Sequence, residues 1–193
     1  MIVYLHGFRS SPQSFKARLL EQRMAGLGRA AEYACPQLPV SPGEAMQVAL
    51  DLTRNADPAQ LTLFGSSLGG YYATFLAEKL GCRAVMLNPA MRAFEKLAGY
   101  VGPQTMYHNA GESFEFKPAY LDELRAMHIP VITRPERYFL VAATGDELLD
   151  WREMRGAFPG ARHKVIEGSD HGLSDFADYM DETLAFAGVP GLG

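Results

Sequence analysis

Leu61-Thr62-Leu63-Phe64-Gly65-Ser66-Ser67-Leu68-Gly69-Gly70-Tyr71-Tyr72 is the stretch on which the reading of this chain turns. The apolar run Leu61 to Phe64 predicts a strand and Tyr71 to Leu80 a helix. The pattern G-x-S-x-G at 65–69 falls at their junction, the strand-turn-helix context of a nucleophile elbow. A strand that turns at once into a helix strains the backbone of the central serine and crowds the positions two residues to either side. Gly65, Gly69 and Gly70 relieve that crowding, and Ser67 becomes the candidate nucleophile. The five-residue pattern alone is a weak signal; its context carries the weight.

Working outward, short apolar runs predict strands at Ile2–Leu5, Tyr33–Cys35, Leu61–Phe64, Ala84–Leu87, Tyr138–Ala143 and Lys164–Ile166. Residues at three-to-four spacing predict helices between them. Phe15, Leu19 and Leu27 mark one face, Ala45, Val48, Ala49 and Leu52 a second, and Leu173, Phe176, Ala177, Met180 and Leu184 a third. Such alternation implies right-handed crossovers and a mostly parallel sheet covered by helices on both faces, with sites at the carboxyl ends of the strands. Between about 89 and 136 the alternation breaks into a Pro-punctuated insertion with a helix expected near Tyr120 to Met127. Either it is a small lid over the site or it is an elaborated crossover that only packs on the sheet; the lid is the expectation.

With 193 residues, 48% of them hydrophobic, the chain is read as one domain over 1–193. A formal charge of −4 with scattered basic residues points away from nucleic acid. No apolar run has the length of a membrane span or a signal peptide, which points to a cytosolic protein. Cys35 and Cys82 lack zinc spacing and read as small hydrophobes. No carboxylate/histidine spacing suggests a metal site.

A serine hydroxyl needs a base, and the base an orienting acid. His171, in the polar loop Glu167 to Gly172 after the last strand, is the candidate base. His163 reads as solvated and His108 and His128 as surface or packing residues. His6 reads as a loop-shaping residue. Asp146, the first carboxylate past Tyr138–Ala143, is the candidate acid, with Glu147 and Asp150 as competitors and Asp150 placed as a helix N-cap. The order Ser67, Asp146, His171 is that of α/β-hydrolases. Backbone N–H groups of Leu68 and Phe8 are the expected oxyanion donors, with the Phe8 side chain of lesser importance. Ser10-Ser11-Pro12 reads as a helix N-cap with Pro at the first position.

These blocks, together with Asn88-Pro89-Ala90 and Thr144-Gly145-Asp146-Glu147, resemble the YqiA-like esterases of the α/β-hydrolase fold. The resemblance implies a serine carboxylic-ester or thioester hydrolase with the triad Ser67, Asp146 and His171, a small-molecule acyl substrate and no cofactor. It also implies a sheet that begins at what larger relatives count as a third strand. An acyltransferase using the same residues, or a non-catalytic binding module on a hydrolase scaffold, remains open. Met91, Phe94, Leu97, Tyr100, Met106, Tyr107, Phe114 and Phe116 of the insertion, above all Phe94, Tyr100, Met106 and Phe114, are expected to line a pocket for short to medium acyl chains.

Overall fold

In a computed structural model, which describes residues 1–107 and 111–192, six strands form one sheet in the order β2-β1-β3-β4-β7-β8. They are β1 (Ile2–Leu5), β2 (Tyr33–Ala34), β3 (Thr62–Ser66), β4 (Arg83–Leu87), β7 (Tyr138–Ala143) and β8 (Arg162–Ile166). Every pairing between them is parallel. The central strands β1, β3 and β7 are buried along their whole length, which is why they read as unbroken apolar runs and not as alternating ones. Within each run the side chains still alternate. Val3, Leu5, Leu63, Met86 and Leu140 enter one core layer, and Ile2, Tyr4, Phe64, Val85 and Phe139 the other.

The first layer is closed by α2 (Pro42–Thr53), α3 (Leu68–Leu80) and α6 (Trp151–Ala157). The second is closed by α1 (Phe15–Gly26) and α7 (Met180–Phe186). The expected α/β architecture with helices on both faces is therefore present. Four local expectations are corrected. On α1 the buried stripe is Ala17, Leu20 and Met24, with Lys16 buried beside them, while Phe15 is 53% exposed. On α2, Ala45 and Ala49 are buried as expected, but Met46 takes the inward place assigned to Leu52, which is exposed. Leu173 and Phe176 precede α7, on a loop and a short 3-10 turn, because Leu173 takes a positive φ of 49° that an α-helix does not admit. Similarly, α1 starts at Phe15 after Ser14, not at Pro12: Ser11 accepts from the Gln13 and Ser14 N–H groups in a separate turn.

The insertion between β4 and β7 contains α4 (Ala93–Lys96), the antiparallel pair β5 (Gly102–Thr105) and β6 (Ser113–Phe116), and α5 (Pro118–Ala126). The hairpin grips the loop after β1. Tyr107 N–H donates to the Arg9 carbonyl at 2.9 Å, Arg9 Nε donates to Thr105 O at 2.5 Å, and the Arg9 guanidinium stands 4.4 Å from the Tyr107 ring centre. The far end is tied to α3, where Tyr71 OH donates to Leu124 O at 2.8 Å. Phe8 sits edge-on against Tyr100, Phe114 and Phe116 at 5.7, 5.9 and 5.2 Å, so the side chain expected to be of lesser importance than its backbone packs on the insertion.

Candidate active site

Five loops meet at the carboxyl edge of the sheet, and the one after β3 is the tightest. Ser67 has φ 55° and ψ −119°, a conformation that costs a non-glycine residue about 1–3 kcal/mol and persists only where the surroundings impose it. The imposition is visible. Ser67 N–H donates to Leu87 O at 3.1 Å, and Ser67 O accepts from Gly70 N–H at 2.9 Å and Ala90 N–H at 3.0 Å. A Cβ on Gly65 would lie 2.2 Å from the Gly69 carbonyl oxygen, and one on Gly69 would lie 1.9 Å from that of Leu5. Neither position admits a side chain. Gly7 brings the β1 loop against the elbow, since a Cβ there would meet Ser67 Cβ at 3.3 Å. Phe8 and Leu68 thus border the same space as Ser67, with Leu68 offering the first N–H of α3 at the positive end of its dipole.

Asp146 lies in the turn after β7 with its side chain fully buried. Its Oδ1 accepts from the Leu148 and Leu149 N–H groups, both at 2.9 Å, and its Oδ2 faces His171 Nδ1 at 2.8 Å. A carboxylate only accepts, so Nδ1 carries a proton, and in the neutral ring the lone pair is then on Nε2. The structure thus pairs His171 with Asp146 and with neither competitor. Asp150 caps α6 by accepting from Arg152 N–H at 2.8 Å. Glu147 accepts from the His171 backbone N–H at 3.0 Å. Ser67 and His171 border one cavity of about 550 Å3 without a hydrogen bond between them.

The remaining described histidines form no hydrogen bond with Asp146. His6 Nε2 accepts from Leu38 N–H at 3.0 Å, which shapes the β1 loop. His163, expected in solvent, is half-buried with Nε2 2.7 Å from Phe158 O. His128 packs between Tyr71 and Phe94, and His108 lies outside the described residues. Burial pushes the Cys35 thiol up to about 12 and the Cys82 thiol up to about 11, so neither carries thiolate character. Among the described residues no three His, Cys, Asp or Glu side chains are placed to hold a metal ion.

Of the expected pocket residues, Leu97, Tyr100 and Tyr107 border the cavity. The others do not. Phe94 is occupied by His128, 5.5 Å away edge-on, while Met106 and Phe114 border a separate space of about 40 Å3 beside His6 and Leu38. The hairpin turns their side chains toward the Phe8 loop.

Two residues at the site have roles that the sequence reading did not assign, although Asn88 stands in one of its motif blocks. Asn88, wholly buried with φ 44°, accepts from Ala143 N–H at 2.8 Å and donates to the carbonyls of Asp170 and His171 at 3.0 and 3.1 Å. It ties β4, β7 and the His171 loop together. Asn88→Ala strands those groups at about 1–3 kcal/mol each where no water replaces them, so a lower urea midpoint and a lower kcat are expected together. A variant with wild-type midpoint and rate would contradict the brace. The second residue is Lys16, whose Nζ donates to the Gly172 carbonyl. Burial holds its ammonium down to about 8, against the opposing pull of Asp170 and Asp146.

The model of an uncharacterised protein family, UPF0227, matches residues 1–188. The chain belongs to this family. UPF0227 is YqiA-like, in accord with the resemblance carried by the motif blocks. Among solved structures the UPF0227 chain is similar to a presumed hydrolase from Agrobacterium vitis S4, at 18% identity and TM-score 0.76, over 96% of this chain and 87% of that one. It is similar to alpha/beta hydrolase domain-containing protein 10 from mouse, at 16% identity and TM-score 0.70, over 95% and 89%. A third likeness is to the metagenome-derived lipolytic enzymes LipS and LipT, at 17% identity and TM-score 0.68, over 96% and 92%. At such identities the likeness establishes the α/β-hydrolase fold. No helix among the described residues is long and apolar enough to cross a membrane.

Proposed function

We propose that this UPF0227 chain is a serine hydrolase that cleaves short to medium acyl carboxylic esters or thioesters through an acyl-enzyme on Ser67. The observation that carries the reading is the buried Asp146–His171 pair at 2.8 Å, bordering one cavity with a serine held at φ 55°. Neutral His171 Nε2 takes the Ser67 proton as Oγ attacks the acyl carbon. The Phe8 and Leu68 N–H groups receive the negative charge that grows on the carbonyl oxygen, each such donor being worth about 3–4 kcal/mol. As the tetrahedral species collapses, the imidazolium returns the proton to the leaving alcohol or thiol. Water then attacks the acyl-enzyme with His171 again as base, and the net reaction consumes one water per ester. Asp146 holds the tautomer and balances the imidazolium charge. That the three structural likenesses include lipolytic enzymes agrees with this reading.

Pre-steady-state hydrolysis of 4-nitrophenyl butyrate tests it. A burst of nitrophenolate close to one equivalent of enzyme is expected wherever deacylation is the slower half. Hydrolysis absent from nitrophenyl esters and acyl thioesters alike would contradict it.

Leu97 and Tyr100, which project from the insertion to the cavity, are proposed to set acyl length. Leu97→Ala/Tyr100→Ala is expected to shift the ratio of rates on hexanoate and acetate esters by about 10-fold or more, given roughly 1–3 kcal/mol per altered apolar contact. Phe94→Ala, away from the cavity, should lower stability and leave the ratio alone. A ratio that moves with Phe94 and not with Leu97 and Tyr100 would relocate the acyl site.

A further inference from the structure

We infer that Lys16 is an anion-recognition residue within the active-site cavity, and that the chain's preferred ester carries a carboxylate on its acyl or its alcohol side. This rests on the hydrolase reading above and names its substrate class.

The hydrophobic order of α1 is inverted at its first turn. Phe15 is 53% exposed and Lys16 is 8% exposed, and both border the cavity that holds Ser67 and His171. A lysine is almost never buried without a partner, because desolvating its charge costs several kcal/mol. Lys16 has no ion pair with any carboxylate among the described residues. Its one hydrogen bond, to the Gly172 carbonyl, uses one of three N–H donors. Asp170 and Asp146 attract its charge without forming an ion pair with it, and each, like Glu147, has another hydrogen-bond partner. Asp170 accepts from Ser174 N–H, Asp146 is paired with His171, and Glu147 accepts from the His171 N–H. A second cation, Lys96, borders the same cavity and is 3.4 Å from Glu153 outside it. The remaining wall is largely apolar, with Tyr4, Phe8, Leu97 and Leu149. An apolar cleft that keeps an under-compensated ammonium beside its reacting groups is complementary to an ester whose far end is anionic, and a neutral ester leaves that ammonium unpaired.

The test compares matched probes. On the acyl side these are 4-nitrophenyl hydrogen adipate and 4-nitrophenyl hexanoate; on the alcohol side, 4-butyryloxybenzoate and its methyl ester. Each is read as the ratio of kcat/KM, charged over neutral, after subtraction of spontaneous hydrolysis. In at least one pair the wild-type ratio at pH 7 is expected to exceed one and to fall at least 10-fold in Lys16→Met, with Lys16→Arg recovering part of it. The pair that responds identifies the side bearing the charge. Should Lys16→Met fail to fold, wild type alone decides. The ratio should decline between pH 7 and 9.5 as the ammonium, held down to about 8, loses its proton while the probe carboxylate stays ionised. His171, Asp146, Asp170 and Glu147 meet both members of a pair in the same enzyme, so their effect on the active fraction is common to the two and cancels in the ratio. Ratios below one in both pairs, or a ratio indifferent to Lys16→Met and to pH, would overturn the inference while leaving the hydrolase reading intact. Failure to hydrolyse any of the four esters would overturn the hydrolase reading and this inference with it.

Discussion

Ser67→Ala is expected to lower kcat/KM on a nitrophenyl ester by about 10⁴-fold or more, roughly 5.5 kcal/mol of transition-state stabilisation, with little loss of fold. The size follows from the proposed mechanism. Without Oγ there is no acyl-enzyme, and the N–H groups of Phe8 and Leu68 can only assist direct attack by water. The fold should tolerate the change because Ser67 is fixed by its backbone bonds to Leu87, Gly70 and Ala90 and by the glycines around it, none of which involves the hydroxyl. Removing a side-chain oxygen leaves the positive φ in place, since alanine has the same Cβ. Ser66→Ala is the control. Ser66 ends β3 and is buried, so its loss should affect packing and not turnover. If Ser66→Ala were the inactive variant, or Ser67→Ala kept half the wild-type rate, the elbow would present a different residue from the one proposed.

Asp146→Asn is expected to reduce kcat by about 10³- to 10⁴-fold with a near-native melting temperature. Asparagine can keep its oxygen toward the Leu148 and Leu149 N–H groups, so the turn after β7 survives. Its amide then faces His171 Nδ1 with a donor, and the imidazole must turn its lone pair there and its proton to Nε2. A base with a proton already on the reacting nitrogen cannot accept one from Ser67. Asp150→Asn makes the contrast. The Asp150 carboxylate accepts from Arg152 N–H at the start of α6, so that change should cost about 1 kcal/mol or less of cap stability and leave turnover near wild type. Kinetics in which Asp150→Asn is the crippled enzyme would transfer the orienting role.

What was legible in the chain was whatever local pattern determines. The strands β1 and β7 fall where their apolar runs predict, because strands buried on both faces leave no polar residue to blur the boundary. The elbow was legible because its glycines are sterically required, with carbonyl oxygens only about 2 Å from two of the missing Cβ atoms. Asp146 was preferred as the acid by its place after β7, and the turn geometry adds what the sequence lacked, carrying Asp146, Glu147 and Asp150 each to a different N–H. Long-range packing hid the rest. Asn88 bonds across sequence separations of 55 to 83 residues, and nothing near it in the chain signals that role. Lys16 and Phe15 read backwards, since a charge turned inward and a ring turned outward break the amphipathic rule. Such violations are expected where a site replaces a core. The hairpin in the insertion was missed for a related reason: β5 and β6 bury only Phe116 fully and have weak strand patterns, and the contacts that fix them are with Phe8 and Arg9, about 100 residues away.

Reaction of the purified chain with a fluorophosphonate, followed by mass spectrometry of its peptides, tests the central claim most directly. One adduct per chain is expected, on Ser67, formed more slowly in Asp146→Asn and abolished in Ser67→Ala. A chain that stays unlabelled while folded, or an adduct on Ser66 or any residue outside the elbow, would contradict it.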